Sequence, residues 1–272
     1  PRRVGEDGWE LSIKALIDNS DCSHKARFTL IDADGNEKAS TIADLRPIIS
    51  AKLPVEDPVL WNGRKNPYLY TVRCEIFDST TQEVTDNIDI RTGLREYHID
   101  SHKGFFLNGE HIKLRGVSRH QDRENMGNAI TEKQHAEDIK IILDVGANSV
   151  RLAHYQQNSY FYDLCDESGL LVWAEVPVIS RFSPKRNENA EQQLVELIKQ
   201  NYNHPSIVVW GLSNEILIGG ICQEPGDNHH DLQKLVRELD PTRLTTIAHV
   251  SNTPVDGPMH HITDVESYNH YF

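Results

Sequence analysis

The feature that most constrains this chain is a rhythm that starts at Gly104 and continues to Phe272: a short apolar run, a stretch with helical periodicity, then another short apolar run. Parallel strands cannot be joined by a tight turn and need a crossover, usually a helix, so this alternation selects a parallel sheet covered by helices. Residues 112–117 read as the first strand. Thr131 with Gln134 is a capping-box start, after which Ala136, Ile139, Ile142 and Leu143 recur on one helical face until Gly146 stops the helix. Strand 149–153, a helix over 160–167 ended by Gly169, and strand 170–174 follow. A helix carrying Leu194, Leu197 and Ile198 leads to strand 207–212. Another, carrying Leu232, Leu235, Val236 and Leu239, leads to strands 244–249 and 264–268. Six strands in one series predict an incomplete (β/α)8 barrel, since the closed form takes about 250 residues and this segment stops roughly two units short.

Before Gly104 the texture differs. Residues 11–17 and 26–31 alternate with period two, and Asp34-Gly35-Asn36 follows the second run, a pattern of antiparallel strands joined by an Asp-Gly turn. Runs at 46–51 and 68–77 continue the series around the proline-bearing stretch of Pro54, Pro58 and Pro67. This texture predicts a small β-sandwich, dividing the chain into a sandwich over 1–100 and a barrel domain over 101–272.

Composition narrows the function classes. The 272 residues are 38% hydrophobic and 25% charged with mean hydropathy -0.53, values of a globular chain. The longest apolar stretches, 169–177 and 206–212, fall far short of the roughly 18–20 residues of a membrane helix, so no membrane span is expected. A net charge of -13 repels phosphate backbones, which argues against a nucleic-acid partner. Cys22, Cys74, Cys165 and Cys222 are widely spaced with no CxxC pair, as expected of thiols rather than a disulfide scaffold. The chain begins Pro-Arg-Arg-Val-Gly-Glu, without an apolar signal region, and both ends read as cuts in a longer polypeptide.

In a barrel of this kind the reacting groups stand at the C-terminal ends of the strands. Polar residues concentrate there: Arg119-His120-Gln121-Asp122-Arg123 after the first strand, Arg151 and His154-Tyr155 at the second, Glu175 at the third, and Ser213-Asn214-Glu215 at the fourth. Each alone reads equally as a solvated loop residue or a satisfied core histidine. Glu215 is the sharpest candidate. It follows an apolar strand, where partial burial is expected to raise a carboxyl pKa and keep a proton available for general acid catalysis. Its plain alternative is a carboxylate favoured at a helix start.

These segments carry a resemblance. His204-Pro205-Ser206-Ile207 leading to Trp210-Gly211-Leu212-Ser213-Asn214-Glu215 resembles the acid/base signature of glycoside hydrolase family 2, the β-galactosidase, β-glucuronidase and β-mannosidase group. Phe106-Leu107-Asn108-Gly109, Leu114 to His120, Asn148 to Tyr155 and Tyr162 to Asp166 are similar to the family's barrel segments. Leu60-Trp61 and Asn66-Pro67-Tyr68-Leu69-Tyr70 resemble the immunoglobulin-like domain that precedes the barrel. The resemblance implies Glu215 as catalytic acid/base and Asn214 as partner of the sugar's 2-hydroxyl. It also implies His120, Asp122, Arg151 and His154 as residues that line the sugar pocket or brace the carboxylates, with Tyr271 near the nucleophile.

Further expectations follow from the same resemblance. The chain reads as a fragment of a retaining exo-β-galactosidase acting on a β-galactoside oligosaccharide or glycoconjugate, with β-glucuronidase as the alternative. A non-catalytic carbohydrate-binding module is a reading of another class. The family's nucleophile is expected beyond Phe272, and Glu266, on strand six and in another motif, is not its substitute. Where some relatives place a magnesium-binding Glu and His, this chain has Val176-Pro177-Val178-Ile179-Ser180, so no metal or other cofactor is expected from these residues; magnesium or sodium is an expectation for the parent enzyme alone, which this sequence does not support. Homo-oligomerisation and compartment, cytoplasmic or periplasmic in a bacterium, stay open.

Overall fold

Antiparallel pairing organises the first part of the chain. The computed structural model describes residues 1–5, 8–18, 23–181, 187–218 and 224–271. Strand Gly8–Leu16 pairs with Arg2–Val4 on one side and Ile48–Glu56 on the other. A second sheet runs in the order Glu37–Asp44, His24–Ile31, Tyr70–Asp78, Val84–Thr92. Trp9, Leu11 and Leu53 from the first sheet meet Ala26, Phe28, Leu30 and Tyr70 from the second in one buried core, the arrangement of an immunoglobulin-like sandwich. The Asp-Gly turn closes the hairpin between His24–Ile31 and Glu37–Asp44. Gly35 adopts φ +85°, and the Asp32 carboxylate accepts the backbone N–H of Asp34 (3.0 Å) and Asn36 (2.8 Å).

Short Arg2–Val4 and the two longer strands Glu37–Asp44 and Val84–Thr92 escape the sequence reading. The longer two are edge strands with much of their length exposed, so their residues carry little apolar alternation and only their pairing with a central strand reveals them. Pro54 lies within strand Ile48–Glu56 rather than between strands; that strand is the sheet's edge, where a residue without an N–H is tolerated.

The expected first barrel strand, 112–117, divides in two. Ile112 ends a three-stranded antiparallel meander of Tyr97–Asp100, Gly104–Leu107 and Glu110–Ile112, opposite Phe105, whereas Gly116 begins a separate strand parallel to 149–152. The alternation of Ile112, Leu114 and the residues after it gives no sign of a break, but the hydrogen-bond partners change between Ile112 and Gly116. The chain thus forms two compact units, one of Pro1–Lys113 with Asn203–Pro205, the other of Leu114–Tyr202 and Ser206–Phe272.

The second unit is a partial TIM barrel. Its strands are β1 (Gly116–Arg119), β2 (Ser149–Leu152), β3 (Leu171–Glu175), β4 (Ile207–Asn214), β5 (Leu244–Val250) and β6 (Val265–Asn269), all parallel and hydrogen-bonded in sequential order. Helices α1 (Glu132–Asp144), α2 (Ser159–Ser168), α3 (Asn187–Asn201) and α4 (Glu224–Leu239) connect the first five strands. The cap of α1 is as the sequence indicates: Thr131 N donates to Gln134 Oε1 (2.9 Å), and Gly146, at φ +78°, follows the helix. Its buried face is not quite the expected one. Ala136 is exposed and His135 buried, because His135, Ile139 and Ile142 are spaced i, i+4, i+7 and share the inward face, where Arg119 reaches His135 Nδ1 (3.0 Å). Ile139, Ile142, Leu194, Leu197, Ile198, Leu232 and Val236 form the layer between helices and sheet. Among the cysteines, Cys74 and Cys165 are free, and burial pushes the Cys165 thiol well up; Cys22 and Cys222 lie outside the described residues. No helix among the described residues is long and apolar enough to cross a membrane.

Candidate active site

Strand periodicity sends alternate side chains to one face, and the face opposite the helices collects the polar strand-end residues. Arg151 on β2, opposite Trp173 on β3, is the hub. Its Nε donates to Glu175 Oε1, Nη1 to Asn269 Oδ1 (2.8 Å) and Nη2 to Asn214 Oδ1 (2.8 Å), while its guanidinium lies over the Trp173 ring at 4.3 Å. With three nitrogens engaged by protein, Arg151 braces the site and has little capacity left for a ligand.

Glu175 is 1% exposed and has two side-chain partners. Besides Arg151 it meets His154 Nδ1 at 2.7 Å. That contact orients the imidazole and leaves Nε2 as its outward nitrogen. His120, exposed at the end of β1, stands edge-on to His154 with ring centroids 5.4 Å apart, and Tyr155 lies against it at 5.9 Å.

Asn214 reaches this face through an irregularity. Strict alternation along β4 would place Asn214 with Trp210 and Leu212, towards the helices. The register with β5 shifts between Gly211 and Asn214, and the segment after β3 closes alongside, Asn214 N donating to Val178 O (2.9 Å) and Ser180 N to Asn214 O (2.9 Å). This bulge turns Ser213 outward to His229 Nε2 (2.8 Å) and Asn214 inward. Asn214 Oδ1 then accepts from both Arg151 and Asn269. Its amide Nδ2 faces the site as a donor, unengaged among the described residues.

Glu215 follows at φ +54°, a left-handed conformation that costs a residue other than glycine on the order of 1 kcal/mol or more. Its backbone N–H is held by Ala248 O (2.8 Å). The half-buried carboxylate accepts one hydrogen bond, from Asn269 Nδ2 to Oε1 at 2.9 Å. Oε2 has no partner among the described residues, so one oxygen is anchored and the other is available for proton transfer.

The structure therefore brings together His120, Arg151, His154, Asn214 and Glu215. It leaves two sequence-indicated residues outside the network. Asp122 is exposed in the loop after β1, and Tyr271 is 67% exposed beyond β6. Glu266 lies on the other face of β6 from Asn269, its Oε2 2.7 Å from His249 Nε2. Two participants were not singled out from sequence. Glu175 appears there only as a polar strand end, and Asn269 not at all, although it ends β6 as Asn214 ends β4; the strand-end rule applied one residue past Tyr268 finds it.

A partial TIM barrel with a polar cluster at its strand ends, preceded in the chain by an immunoglobulin-like sandwich, defines a two-domain barrel architecture, and comparisons with known proteins identify its family. Residues 3–95 match the family model of glycosyl hydrolases family 2, and residues 99–271 that of the family's TIM barrel domain. The chain belongs to glycosyl hydrolases family 2. A β-glucuronidase of Bacteroides fragilis is 43% identical over 232 residues, 80% of this chain and 32% of that protein. A β-galactosidase of Thermoanaerobacter pseudethanolicus is 31% identical over 87% of this chain and 32% of its own length. Among solved structures, an FMN-binding β-glucuronidase from Faecalibacterium prausnitzii L2-6 superposes with a TM-score of 0.94 at 50% identity, covering 99% of this chain and 42% of that one. The chain thus spans about a third of the curated relatives' length.

Proposed function

We propose that this chain supplies the acid/base half of a β-glycosidase site whose substrate is a terminal β-glucuronide. The observation that carries the acid/base role is Glu215 itself, one oxygen anchored by Asn269 and the other open, beside the amide donor of Asn214. The β-galactoside preferred from sequence gives way to the glucuronide because the relatives at 43% and 50% identity are β-glucuronidases. The β-galactosidase at 31% supports the galactoside less strongly.

Glycoside hydrolysis with retention needs a second carboxylate about 5–5.5 Å from the acid/base, acting as nucleophile. Glu175 is committed to Arg151 and His154, and Glu266 faces the other side of the sheet, so neither fills that role. The nucleophile is expected from the part of the family's length that this chain does not span. In the first step Glu215 would protonate the departing oxygen; in the second it would take a proton from water. Arg151, Glu175 and Asn269 hold it in place throughout.

The test uses the full gene product that carries this chain. Activity on nitrophenyl β-glucuronide should exceed that on the β-galactoside, and the reverse order would overturn the substrate assignment. Glu215→Gln should lower kcat/KM by about 10²–10⁴ on substrates with poor leaving groups and much less on activated aryl glycosides. Azide should restore the aryl reaction as a β-glycosyl azide. Equal losses across leaving groups with no azide product would remove Glu215 from the role, and sugar binding without turnover in the wild type would favour a binding module.

A further inference from the structure

On the helix-side face of β5 and β6 stands a second cluster that the reaction does not use. His249 on β5 and Glu266 and Tyr268 on β6 project to this face, the side opposite Asn269 and Ser267. The connection from β5 to β6, residues 251–264, brings His260 against them. His249 and His260 are both buried, at 3% and 8% exposure, with stacked rings whose centroids are 4.5 Å apart. One donor atom from each of His249, His260 and Glu266 lies within 4.8 Å of the other two.

Three details separate this cluster from an ordinary hydrogen-bond network. His260 spends Nε2 on the Tyr268 hydroxyl and leaves Nδ1 buried with no partner. A ligating histidine has this form: the far nitrogen is held by a neighbour and the near one is free to coordinate. Glu266 is oriented likewise. Its Oε1 accepts the backbone N–H of His261 (2.8 Å), and Oε2 stands 2.7 Å from His249 Nε2 in a hydrogen bond that a shared metal ion would replace. The third detail is architectural. The connections from β1 to β5 each carry a helix, but residues 251–264 form only turns and bends, while Met259 and Ile262 within them are buried in the core. A long connection without secondary structure of its own is uncommon in a packed domain and needs other fastening.

We propose that His249, His260 and Glu266 form a structural site for a divalent metal of zinc type, which fastens the β5–β6 connection to the sheet. Two imidazoles and a carboxylate suit zinc and its first-row neighbours, whereas magnesium and calcium prefer all-oxygen sets. Donors at 2.0–2.2 Å from zinc stand about 3.3 Å apart, so binding draws the wider-spaced donors together by at most about 1.5 Å and parts His249 Nε2 from Glu266 Oε2 by about 0.6 Å, movements the helix-free connection accommodates. This site is independent of the glycosidase reading, because among the described residues none of its three ligands makes a hydrogen bond to Glu215 or Arg151.

The experiment strips the full gene product with dipicolinate and titrates it with Zn²⁺ or Mg²⁺ while thermal unfolding and bound metal are measured. Zinc should bind the stripped wild type and raise the midpoint by about 5–10 °C at a hundredfold excess over Kd; magnesium should not. His260→Gln and Glu266→Gln should lose the bound zinc and the shift. His261→Gln, which alters an exposed neighbour, should keep both. Co²⁺ added to the stripped wild type should give the visible bands of a low-coordinate histidine and carboxylate site, a readout that does not depend on the variants folding. An unmoved midpoint with no bound zinc in the wild type, or undiminished binding in both ligand variants, would overturn the site.

Discussion

Gly211 is where one methyl group should reach the reaction. It lies on β4 directly opposite Glu175 of β3. A Cβ at that position would stand 2.5 Å from Trp173 Nε1 and 2.6 Å from Glu175 Cγ. Carbon atoms rest comfortably at about 3.5–4.0 Å, so in Gly211→Ala the Glu175 side chain must retreat by about 1 Å. Its contact with His154 is 2.7 Å, and a retreat of that size carries it beyond hydrogen-bond range. The hydrogen bond from Arg151 is released with it. Overpacking of this kind typically costs about 1–3 kcal/mol, which for a domain of this size lowers the midpoint by about 2–12 °C. The kinetic effect should be larger in proportion, because Arg151 links Glu175 to Asn214 and Asn269, and a displacement of about 1 Å at reacting groups can cost 10²-fold. Differential scanning fluorimetry and kcat/KM on nitrophenyl β-glucuronide, both on the full gene product, read the two effects. A variant within about 1 °C and twofold of wild type would refute the packing argument; a lowered midpoint with unchanged kcat/KM would refute the link from Glu175 to the site.

Asn269→Ala should lower kcat/KM by about ten- to a hundredfold, the scale of losing a hydrogen bond to a charged group, while the midpoint falls only slightly; wild-type kinetics would show that Glu215 is held by other contacts. Acid should destabilise the barrel unit through α1. Burial, aided by the Arg119 charge, holds the His135 imidazole below its ordinary value near 6.5. At Asp138 burial pushes the carboxyl up, but hydrogen bonds from Arg123 and Arg119 pull it below the usual range overall. In both cases the folded state binds fewer protons than the unfolded one, so stability is present above the ordinary value and is lost as pH falls through the depressed one, first for His135 below about 6.5 and then for Asp138 below about 3.9. His135→Gln should therefore flatten the midpoint's decline between pH 6.5 and 5, and an unchanged slope would point to other groups.

The sequence alone determined the elements whose residues face a single environment. Helices α3 and α4 show Leu194, Leu197, Ile198, Leu232 and Val236 at helical spacing because all of these sit in one apolar layer. Glu215 and Asn214 were legible because a polar pair directly after an apolar strand has few uses, and the family resemblance of the surrounding motif agreed with that reading. What remained hidden depends on partners distant in the chain. Edge strands Glu37–Asp44 and Val84–Thr92 exist through backbone pairing, which leaves little mark on side-chain pattern where the inward residues are as small as Ala39 and Ala43 or where both faces are solvated, as over 84–89. The face of Asn214 was set by a register shift, a property of how β4 meets β5 that no local periodicity encodes. Asn269 became part of the site only because β6 ends beside β2 and β4 in space, 118 residues from Arg151 and 55 from Asn214 along the chain. Side-chain patterns record burial, which each residue experiences by itself, whereas a hydrogen-bonded site records coincidence between strands, which only the folded sheet supplies.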